Sequence, residues 1–506
     1  MSVEKNSGVA SATGQRSRPL VFGTLAVIFL ASRLMYILGG VRFDGDLLRN
    51  SWALLDPYLL QTDLFRSIFY LHSQPPLFNL FVGLVLKLGS ANPMMTFRVL
   101  NMGMGLLLTF TLYETMSRLN VPFWLSVALT VGFVVSPATM LFENILFYTF
   151  PLAVALAVGA LLLERYLRTN RLGFAWSFFA VLGAIVLTRS LFHPIWFLLM
   201  AGGLIFLQRR HRPQLLVGAA VPLLLITSWT VKNQVLFGTA SGSSWLGMSM
   251  GKMVTAGVPE SDRVRLVRER RLSPYALRKP FWNIGEYGDL LPRRDSTGIP
   301  ALDMETRSIG NPNFNNIAYV GISDKFLSDV LVLIRLYPGI YFRGIAHAVF
   351  IFFRPSSDYA VFHVNRPSVE RVERIVNMIL MGQIHYGRAV FETNQGELDL
   401  AMQVQRTGIL IVIVYISVIL INLVTAWKCV RSRSRPDPQC IVSAFILCTI
   451  LYVAVVGNAI EIGENNRFRY MVDPLFIILL ASSLTRGYRD RLRRRSIRSG
   501  AVASQC

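Results

Sequence analysis

Recurring apolar segments constrain the fold of this chain more than any other feature of its sequence. Runs of roughly 17 to 22 apolar residues follow one another along the chain, and each is long enough to cross a bilayer as a helix. Of the 506 residues, 53% are hydrophobic. Because a bilayer offers no water to unpaired backbone groups, such segments cross it as helices. The sequence therefore predicts an all-α polytopic membrane protein.

The positive charges of the chain lie between these apolar segments. The formal net charge is +22, and the excess collects in short links, as it does on the cytoplasmic side of membrane proteins. This position indicates a membrane topology and argues against nucleic acid as a partner. The basic links are residues 5–18, Arg118, 165–171, 209–212, 428–435 and 486–498.

The positive-inside rule, applied to these links, predicts about ten spans with both termini in the cytoplasm. The chain then divides into a cytoplasmic tail, a transmembrane core with a first outer loop, an outer segment, C-terminal helices with an outer arginine motif, and a basic cytoplasmic tail. These parts are residues 1–19, 20–231 with the loop 41–93, 232–406, 407–486 with the motif 461–470, and 487–506. The chain contains no Asn-x-Ser/Thr glycosylation acceptor, which favours a bacterial inner membrane.

The predicted spans follow from the same rule. They are residues 20–40, 96–116, 123–142, 150–163, 174–191, a return that ends before 208, 215–231, 408–427, 441–460 and 471–484. The first of them is expected to be an uncleaved anchor, because it is too long for the apolar part of a secretory signal.

Three apolar pieces on the outer side are too short or too interrupted to be counted as spans. Residues 75–88 begin with two prolines and are predicted to lie as a helix in the membrane interface. Residues 326–353 are interrupted by arginines and a proline. They are predicted to form an amphipathic interfacial helix, with a re-entrant course left open. Residues 369–380 have apolar side chains at helical spacing and are predicted to pack on the body of the protein.

This topology gathers the unusual polar residues on the outer side of the membrane. Ionisable groups at membrane depth are costly, and they usually face a cavity or a partner. A carboxylate can take a proton from an attacking hydroxyl, and arginine binds phosphate oxygens in pairs. The combination fits sugar transfer from a phosphate-linked donor. The residues are Asp44, Asp46, His72, Gln74, Glu143, Arg189, His193, Lys232, Glu464, Arg467 and Arg469.

Four short motifs occur in a fixed order along this outer side. They are Asp44-Gly45-Asp46, His72-Ser73-Gln74-Pro75-Pro76-Leu77-Phe78, Ser228-Trp229-Thr230-Val231-Lys232-Asn233 before Phe237-Gly238, and Glu464-Asn465-Asn466-Arg467-Phe468-Arg469-Tyr470 with Asp473-Pro474. In this order they resemble the type C glycosyltransferases. The chain is most similar to the bacterial group of lipid A aminoarabinose transferases, protein mannosyltransferase-like proteins and lipopolysaccharide galacturonosyltransferases.

The resemblance implies a GT-C-like helical bundle that transfers sugar, with inversion, from a polyprenyl-phosphate donor to a lipid, glycan or protein acceptor of the cell envelope. Asp44 or Asp46 would act as the base or orient the acceptor, with Asp44 preferred. Further roles implied at matching positions are a second catalytic acid at Glu143, donor-phosphate contacts at Arg467, Arg469 and Lys232, and substrate contacts at His72, Gln74, Glu464 and Tyr470. Ser73-Gln74 departs from the family, which often has a charged residue before the proline pair.

Several alternatives remain open at this stage. Any polytopic protein with charge near the membrane could be a transporter or lipid flippase, and the same fold could serve as a non-catalytic scaffold. Lys232 could simply extend its amine to the interface. Arg189 and His193 are assigned no function, because they could close the outer end of the fifth span. Two neighbouring acids could contribute to a Mg²⁺ or Mn²⁺ site, but two ligands are too few to define one.

Overall fold

The computed structural model describes residues 7–88, 92–292, 295–382, 407–431 and 437–503. It is 75% helical, and these residues contain only two isolated β-bridges and no strand. The predicted all-α class is confirmed. Parts of both tails, of the outer segment at 383–406 and of the basic link at 432–436 lie outside the described residues.

Twelve helices precede the large outer segment. They are α1 (Ser7–Leu38), α2 (Asp46–Asn50), α3 (Pro57–Thr62), α4 (Leu64–Phe69), α5 (Pro76–Lys87), α6 (Pro93–Arg118), α7 (Phe123–Val134), α8 (Pro137–Glu143), α9 (Thr149–Thr169), α10 (Leu172–Val186), α11 (Pro194–Leu207) and α12 (Arg212–Phe237).

The rest of the described chain adds nine helices. They are α13 (Leu246–Val254), α14 (Glu260–Arg268), α15 (Pro300–Asp303), α16 (Ala318–Leu336), α17 (Pro338–Phe352), α18 (Arg366–Val376), α19 (Ile409–Arg431), α20 (Pro438–Ile460) and α21 (Asn465–Ala503). Short 3₁₀ turns lie at Arg209–His211, Pro274–Leu277, Ile284–Tyr287 and Ala360–His363, and a π turn lies at Asn377–Met381.

Seven of the described helices are long and apolar enough to cross a membrane, and α7 with α8 makes an eighth candidate, bent by 55°. The polytopic membrane class is therefore confirmed. The bend follows from Ser136 and Pro137, because proline has no N–H to continue the helix. The fifth and sixth predicted spans coincide with α10 and α11, which have 15 and 14 residues and are short for a span. A total of ten spans remains a prediction.

The first outer loop is a compact layer of short helices. Residues 76–87 form α5, as the sequence predicts, with Pro76 at the position where proline fits a helix start. This helix packs closely on α3 and α4. A methyl group placed on Gly83 would lie 2.2 Å from Leu64 Cδ1. The loop is therefore packed against itself rather than extended.

The outer segment has a small core of its own, in which α13 packs against α16. A methyl group on Gly247 would lie 1.8 Å from the carbonyl oxygen of Ser323, so the two helices touch through their backbones. The prediction of one helix across 326–353 is wrong. Helix α16 ends at Leu336, because the next residue, Tyr337, precedes a proline and is disfavoured in the α conformation, and α17 begins at Pro338.

Helix α18 contacts the body through a different face from the one the sequence predicts. Val369 and Glu373 are buried, whereas Val372, Ile379 and Leu380 are 48%, 60% and 59% exposed. Glu373 accepts from Arg366 at 3.3 Å. Most of the predicted apolar side chains of α18 and the following π turn are thus exposed on the protein surface. This is the arrangement expected of a helix whose apolar side meets lipid.

Candidate active site

Asp44 is held by the backbone of a distant segment. Its N–H donates to the carbonyl of Asn144 at 2.7 Å, and its own carbonyl accepts from the N–H of Leu146 at 3.0 Å. This parallel bridge fixes the end of the first span against the end of α8. The side chain is 4% exposed, and its Oδ1 accepts from the N–H of Asp46 at 2.8 Å.

The carboxylate of Asp44 is therefore buried yet takes part in no ion pair among the described residues. Burial raises its pKa, the hydrogen bond from Asp46 opposes that rise, and the negative charge of Asp46 adds to it. A carboxylate with a raised pKa is a stronger proton acceptor than an exposed one. Asp46 differs, because its side chain is 55% exposed and lies 3.6 Å from His363 Nε2.

Glu143 forms a buried, two-pronged ion pair with Arg33 of the first span. Arg33 Nε donates to Oε1 at 3.0 Å and a terminal nitrogen donates to Oε2 at 2.5 Å. Asn101 donates to the carbonyl of Glu143 at 2.9 Å. A methyl group on Gly105 would lie 2.3 Å from Oε2. The pair fixes the end of α8, and so it positions the following residues, 144–146, whose backbone holds Asp44.

Arg467 projects from the start of α21 into an aromatic box. It is 1% exposed, donates to the Tyr148 hydroxyl at 2.6 Å, and pairs with Glu464. The rings of Phe147, Tyr148, Tyr359 and Phe468 lie 4.6 to 5.5 Å from its guanidinium carbon. Aromatic faces attract a cation, so they favour the charged form of this arginine inside the protein.

Glu464 links this box to the surface of the protein. Its side chain is 30% exposed, and Oε1 accepts from the Tyr359 hydroxyl at 3.0 Å. Burial raises the pKa of Glu464, but the positive charges of Arg467, Lys252 and Arg189 outweigh burial and lower it. The carboxylate therefore stays ionised in this cluster.

Arg469 faces away from Arg467, because residues two apart on a helix are about 200° apart around it. It donates to Ser356 Oγ at 2.7 Å and lies 3.4 Å from Asp473. The structure thus separates the two predicted phosphate ligands. Tyr470 is buried beside them and stacks on Phe142 with 3.9 Å between ring centroids.

Arg189 is the residue that the sequence interpretation left without a function. Its guanidinium donates to Gln74 Oε1 at 3.2 Å and lies 5.1 Å from the Tyr148 ring and 5.9 Å from Phe468. Arg467 contacts the same two rings, so the two cations lie near each other around them. No carboxylate among the described residues forms an ion pair with Arg189. The signal in the sequence was an arginine at the outer end of an apolar run, where the charge rule disfavours it.

His72 and Lys232 lie in a separate contact between the first loop and the outer segment. His72 Nε2 donates to the carbonyl of Asn315 at 2.9 Å, so Nδ1 accepts from Ser244 at 2.8 Å. Burial lowers the pKa of His72 to about 3, and the ring stays neutral. Lys232 donates to the carbonyl of Leu71 at 2.8 Å and covers the Trp229 ring at 3.6 Å. Both side chains are occupied in joining the two segments.

A fourth segment, 355–366, closes the site. Asn365 exchanges two hydrogen bonds with the backbone of Arg42, at 2.9 and 2.7 Å. Asn466 donates to the carbonyls of Pro355 and Asp358 at 3.1 and 3.0 Å. The candidate site therefore consists of four segments, 41–46, 143–148, 355–366 and 464–469, with Arg189 and Gln74 at its edge.

The geometry defines the class as a polytopic helical membrane protein with acids and buried arginines assembled from distant segments. No known protein family, curated protein or solved structure matches the chain. Within the described residues, no group of three or more His, Cys, Asp or Glu side chains comes together to hold a metal ion.

Proposed function

We propose that the protein is a type C membrane glycosyltransferase, which moves a sugar from a polyprenyl-phosphate donor to an acceptor of the cell envelope. The observation that supports this most concerns residues 144–148, which contact an acid at one end and two arginines at the other. The backbones of Asn144 and Leu146 hold the backbone of Asp44, whose carboxylate forms no ion pair among the described residues. The ring of Tyr148, two residues further, lies 5.1 Å from the guanidinium carbon of Arg189 and 5.2 Å from that of Arg467.

In the proposed reaction the acceptor hydroxyl attacks the sugar carbon that carries the phosphate. Its proton goes to Asp44, the new carbon–oxygen bond forms, and the bond to the phosphate oxygen breaks with its electron pair left on the phosphate. Arg467 and Arg189 stabilise the charge that develops there. Arg189 is free of a carboxylate among the described residues, and Arg467 would exchange part of its contact with Glu464 for phosphate oxygens.

The proposal includes a finer topology. Seven long helices, the bent pair α7–α8 and the short helices α10 and α11 together make ten crossings. An even number of crossings leaves both termini on one side, and the basic links assign that side to the cytoplasm. The four segments of the site would then lie on the outer side of a bacterial inner membrane. The donor would then enter sideways from the outer leaflet.

The deciding experiment compares Asp44→Asn with Asp46→Asn at matched membrane levels. Transfer from polyprenyl-phosphate sugars to envelope glycolipids is followed by mass spectrometry, with membranes lacking the protein as the blank. Asp44→Asn is expected to lower the rate by a factor of about 10² to 10⁴, the range for a lost general base. Asp46→Asn is expected to cost less than about tenfold. Full activity of the double variant would overturn the proposal.

A transporter is the second candidate, and the broken helix α7–α8 is the observation that favours it, since transporters use such helices at their binding sites. Single cysteines placed at Asn101 and Tyr148 separate the two functions. Labelling of both from either side of the membrane in turn would favour transport. Labelling from the outer side alone would favour the transferase.

A further inference from the structure

Trp52 forms an exposed aromatic surface on the outer part of the protein, directly after α2. The indole is 44% exposed, although it is one of the largest apolar side chains. One side is covered by Phe281, stacked at 5.3 Å with 21° between the ring planes, and Phe314 lies 5.0 Å away. Trp245 packs behind both phenylalanines. The indole therefore forms a flat aromatic surface that is supported from below by packed aromatic rings.

The loop that carries Trp52 is held unusually firmly. The buried guanidinium of Arg307 donates to the carbonyls of Arg49, Ser51 and Leu54, the residues on either side of Trp52. Such anchoring is useful in a binding surface, because a ring that is already fixed loses less conformational entropy when a ligand binds.

Phe281, the residue under Trp52, has a left-handed backbone with φ of +58°. Such a conformation is unfavourable for a bulky residue. It persists here because the ring is packed between Trp52 and Trp245. Strain of this kind is typical of positions where the direction of a side chain matters for function.

The edge of the surface is polar. Asn311 donates to the side-chain oxygen of Asn50 at 3.1 Å and to the carbonyl of Arg49 at 2.9 Å. Both amides keep further donor and acceptor capacity. A turn that presents polar amide side chains does not lie in hydrocarbon, and one indole with its edge is far smaller than the roughly 1,200 Å² of a stable protein interface.

An apolar ring face edged by amides suits a sugar ring. The sugar presents carbon-bound hydrogens, which carry partial positive charge, to the negative face of the indole, and its hydroxyls meet the amides at the edge. We propose that Trp52, with Asn50 and Asn311, binds a sugar ring of the acceptor glycan. This inference rests on the proposed function, since it assigns the acceptor glycan to Trp52 and leaves the donor phosphate to Arg189 and Arg467.

The position along the chain supports an acceptor rather than the donor. Asp46 begins α2 and Trp52 follows its end, and five helical residues rise only roughly 7 Å. One glycan can therefore lie along α2 with its hydroxyl near Asp44 and a further sugar ring on Trp52. The donor phosphate contacts Arg189 and Arg467 instead.

The test uses the full chain in lipid nanodiscs and oligosaccharides released from cell envelopes by mild acid, with maltohexaose as a second probe. Trp52→Phe keeps a flat ring, whereas Trp52→Leu keeps only apolar bulk. Trp52→Leu is expected to weaken oligosaccharide binding and raise the acceptor KM about tenfold, a factor equal to about 1.4 kcal/mol. Trp52→Phe is expected to stay within about threefold of the parent. Trp124→Leu, on α7 and 68% exposed, is the matched control.

Equal binding by the parent and Trp52→Leu would overturn the inference. Equal oligosaccharide affinities for the parent, Trp52→Phe and Trp52→Leu, together with quenching of Trp52 fluorescence by brominated lipid, would assign Trp52 to the membrane interface instead. Release of sugar from the donor to water, measured with the parent protein, reports on the transferase separately from the Trp52 surface. Oligosaccharide binding without any transfer would contradict the proposed function while supporting the Trp52 surface. If Trp52→Leu does not fold, Asn50→Leu tests the same site, with a threefold loss expected.

Discussion

Two groups of ion pairs, at opposite ends of the helix bundle, differ in which member is buried. At the end predicted to be cytoplasmic, the carboxylates are buried and the arginines reach out. Glu164 is 1% and Arg168 39% exposed, and Glu114 is 7% and Arg165 36% exposed. At the start of α21, on the end predicted to be outer, the order is reversed, because Arg467 is 1% exposed and its partner Glu464 30%.

Burial of the cation rather than the anion has a physical cost that needs a reason. An arginine that covers a helix end with its stem and keeps its head in water is cheap. The inner pairs follow this pattern, and they join α6 to α9. A guanidinium that points inward is in place to meet an anion that arrives from elsewhere. The comparison therefore separates the structural ion pairs between α6 and α9 from the buried arginine at the start of α21, to which the proposed function assigns the donor phosphate.

The largest effect is expected from the buried pair Arg33–Glu143. Glu143→Gln leaves Arg33 unpaired inside the protein and is expected to lower the free energy of unfolding by about 3 to 5 kcal/mol. Glu114→Gln, whose partners are partly in water, is expected to cost about 1 kcal/mol. Thermal unfolding of both variants in nanodiscs measures the difference. Replacing both members with Arg33→Met and Glu143→Leu is expected to recover part of the loss, and equal losses for the two single variants would contradict the contrast.

The next effect concerns Arg467, compared with an arginine of the inner network. Arg467→Lys keeps the charge but loses the planar fork, and it is expected to lower the transfer rate about 100-fold, as loss of a transition-state donor does. Arg118→Lys is expected to remain within about threefold of the parent. Initial rates in proteoliposomes measure both. Similar rates for the two variants would show that the buried cation does not serve the reaction.

A smaller effect is expected at Arg189. Arg189→Gln removes a cation that has no carboxylate partner among the described residues, so the fold keeps its ion pairs. It is expected to raise the donor KM about tenfold and to leave the acceptor KM unchanged. The control is Arg212→Gln, because among the described residues Arg212 donates only to the carbonyls of Ile205 and Phe206. A larger change in the acceptor KM than in the donor KM would contradict the assignment of Arg189 to the phosphate.

Local sequence predicted the helices well and the site only in part. The apolar runs marked the long helices, and Pro137 and Pro338 explain two helix breaks. The opposite directions of Arg467 and Arg469 follow from helical geometry alone. The contacts that decide chemical roles join distant residues. Arg33 and Glu143 are 110 positions apart, and Asp44 acquires its setting from the backbone of residues 144–146. No local pattern could distinguish His72, whose two ring nitrogens are both hydrogen-bonded, from Asp44, whose buried carboxylate forms no ion pair among the described residues.

The smallest and most specific effect is on the pH dependence of the rate. Asp44 must be ionised to accept a proton, so activity falls as the pH drops through its raised pKa. The charge of Asp46 raises that pKa, while His363 and Arg42 lower it. Asp46→Asn is therefore expected to move the acid limb of kcat/KM to lower pH. His363→Ala is expected to move it to higher pH, because the interaction with His363 lowers the pKa of Asp44.

The two shifts have opposite signs although both side chains lie in one exposed pair, 3.6 Å apart. A structural effect of losing that contact would move both variants in the same direction. The pH–rate profiles of the parent and both variants, measured under kcat/KM conditions, therefore distinguish electrostatic coupling to Asp44 from simple loosening of the loop. Shifts of the same sign would reject Asp44 as the base and leave the contrast between the two ends of the bundle resting on the arginines alone.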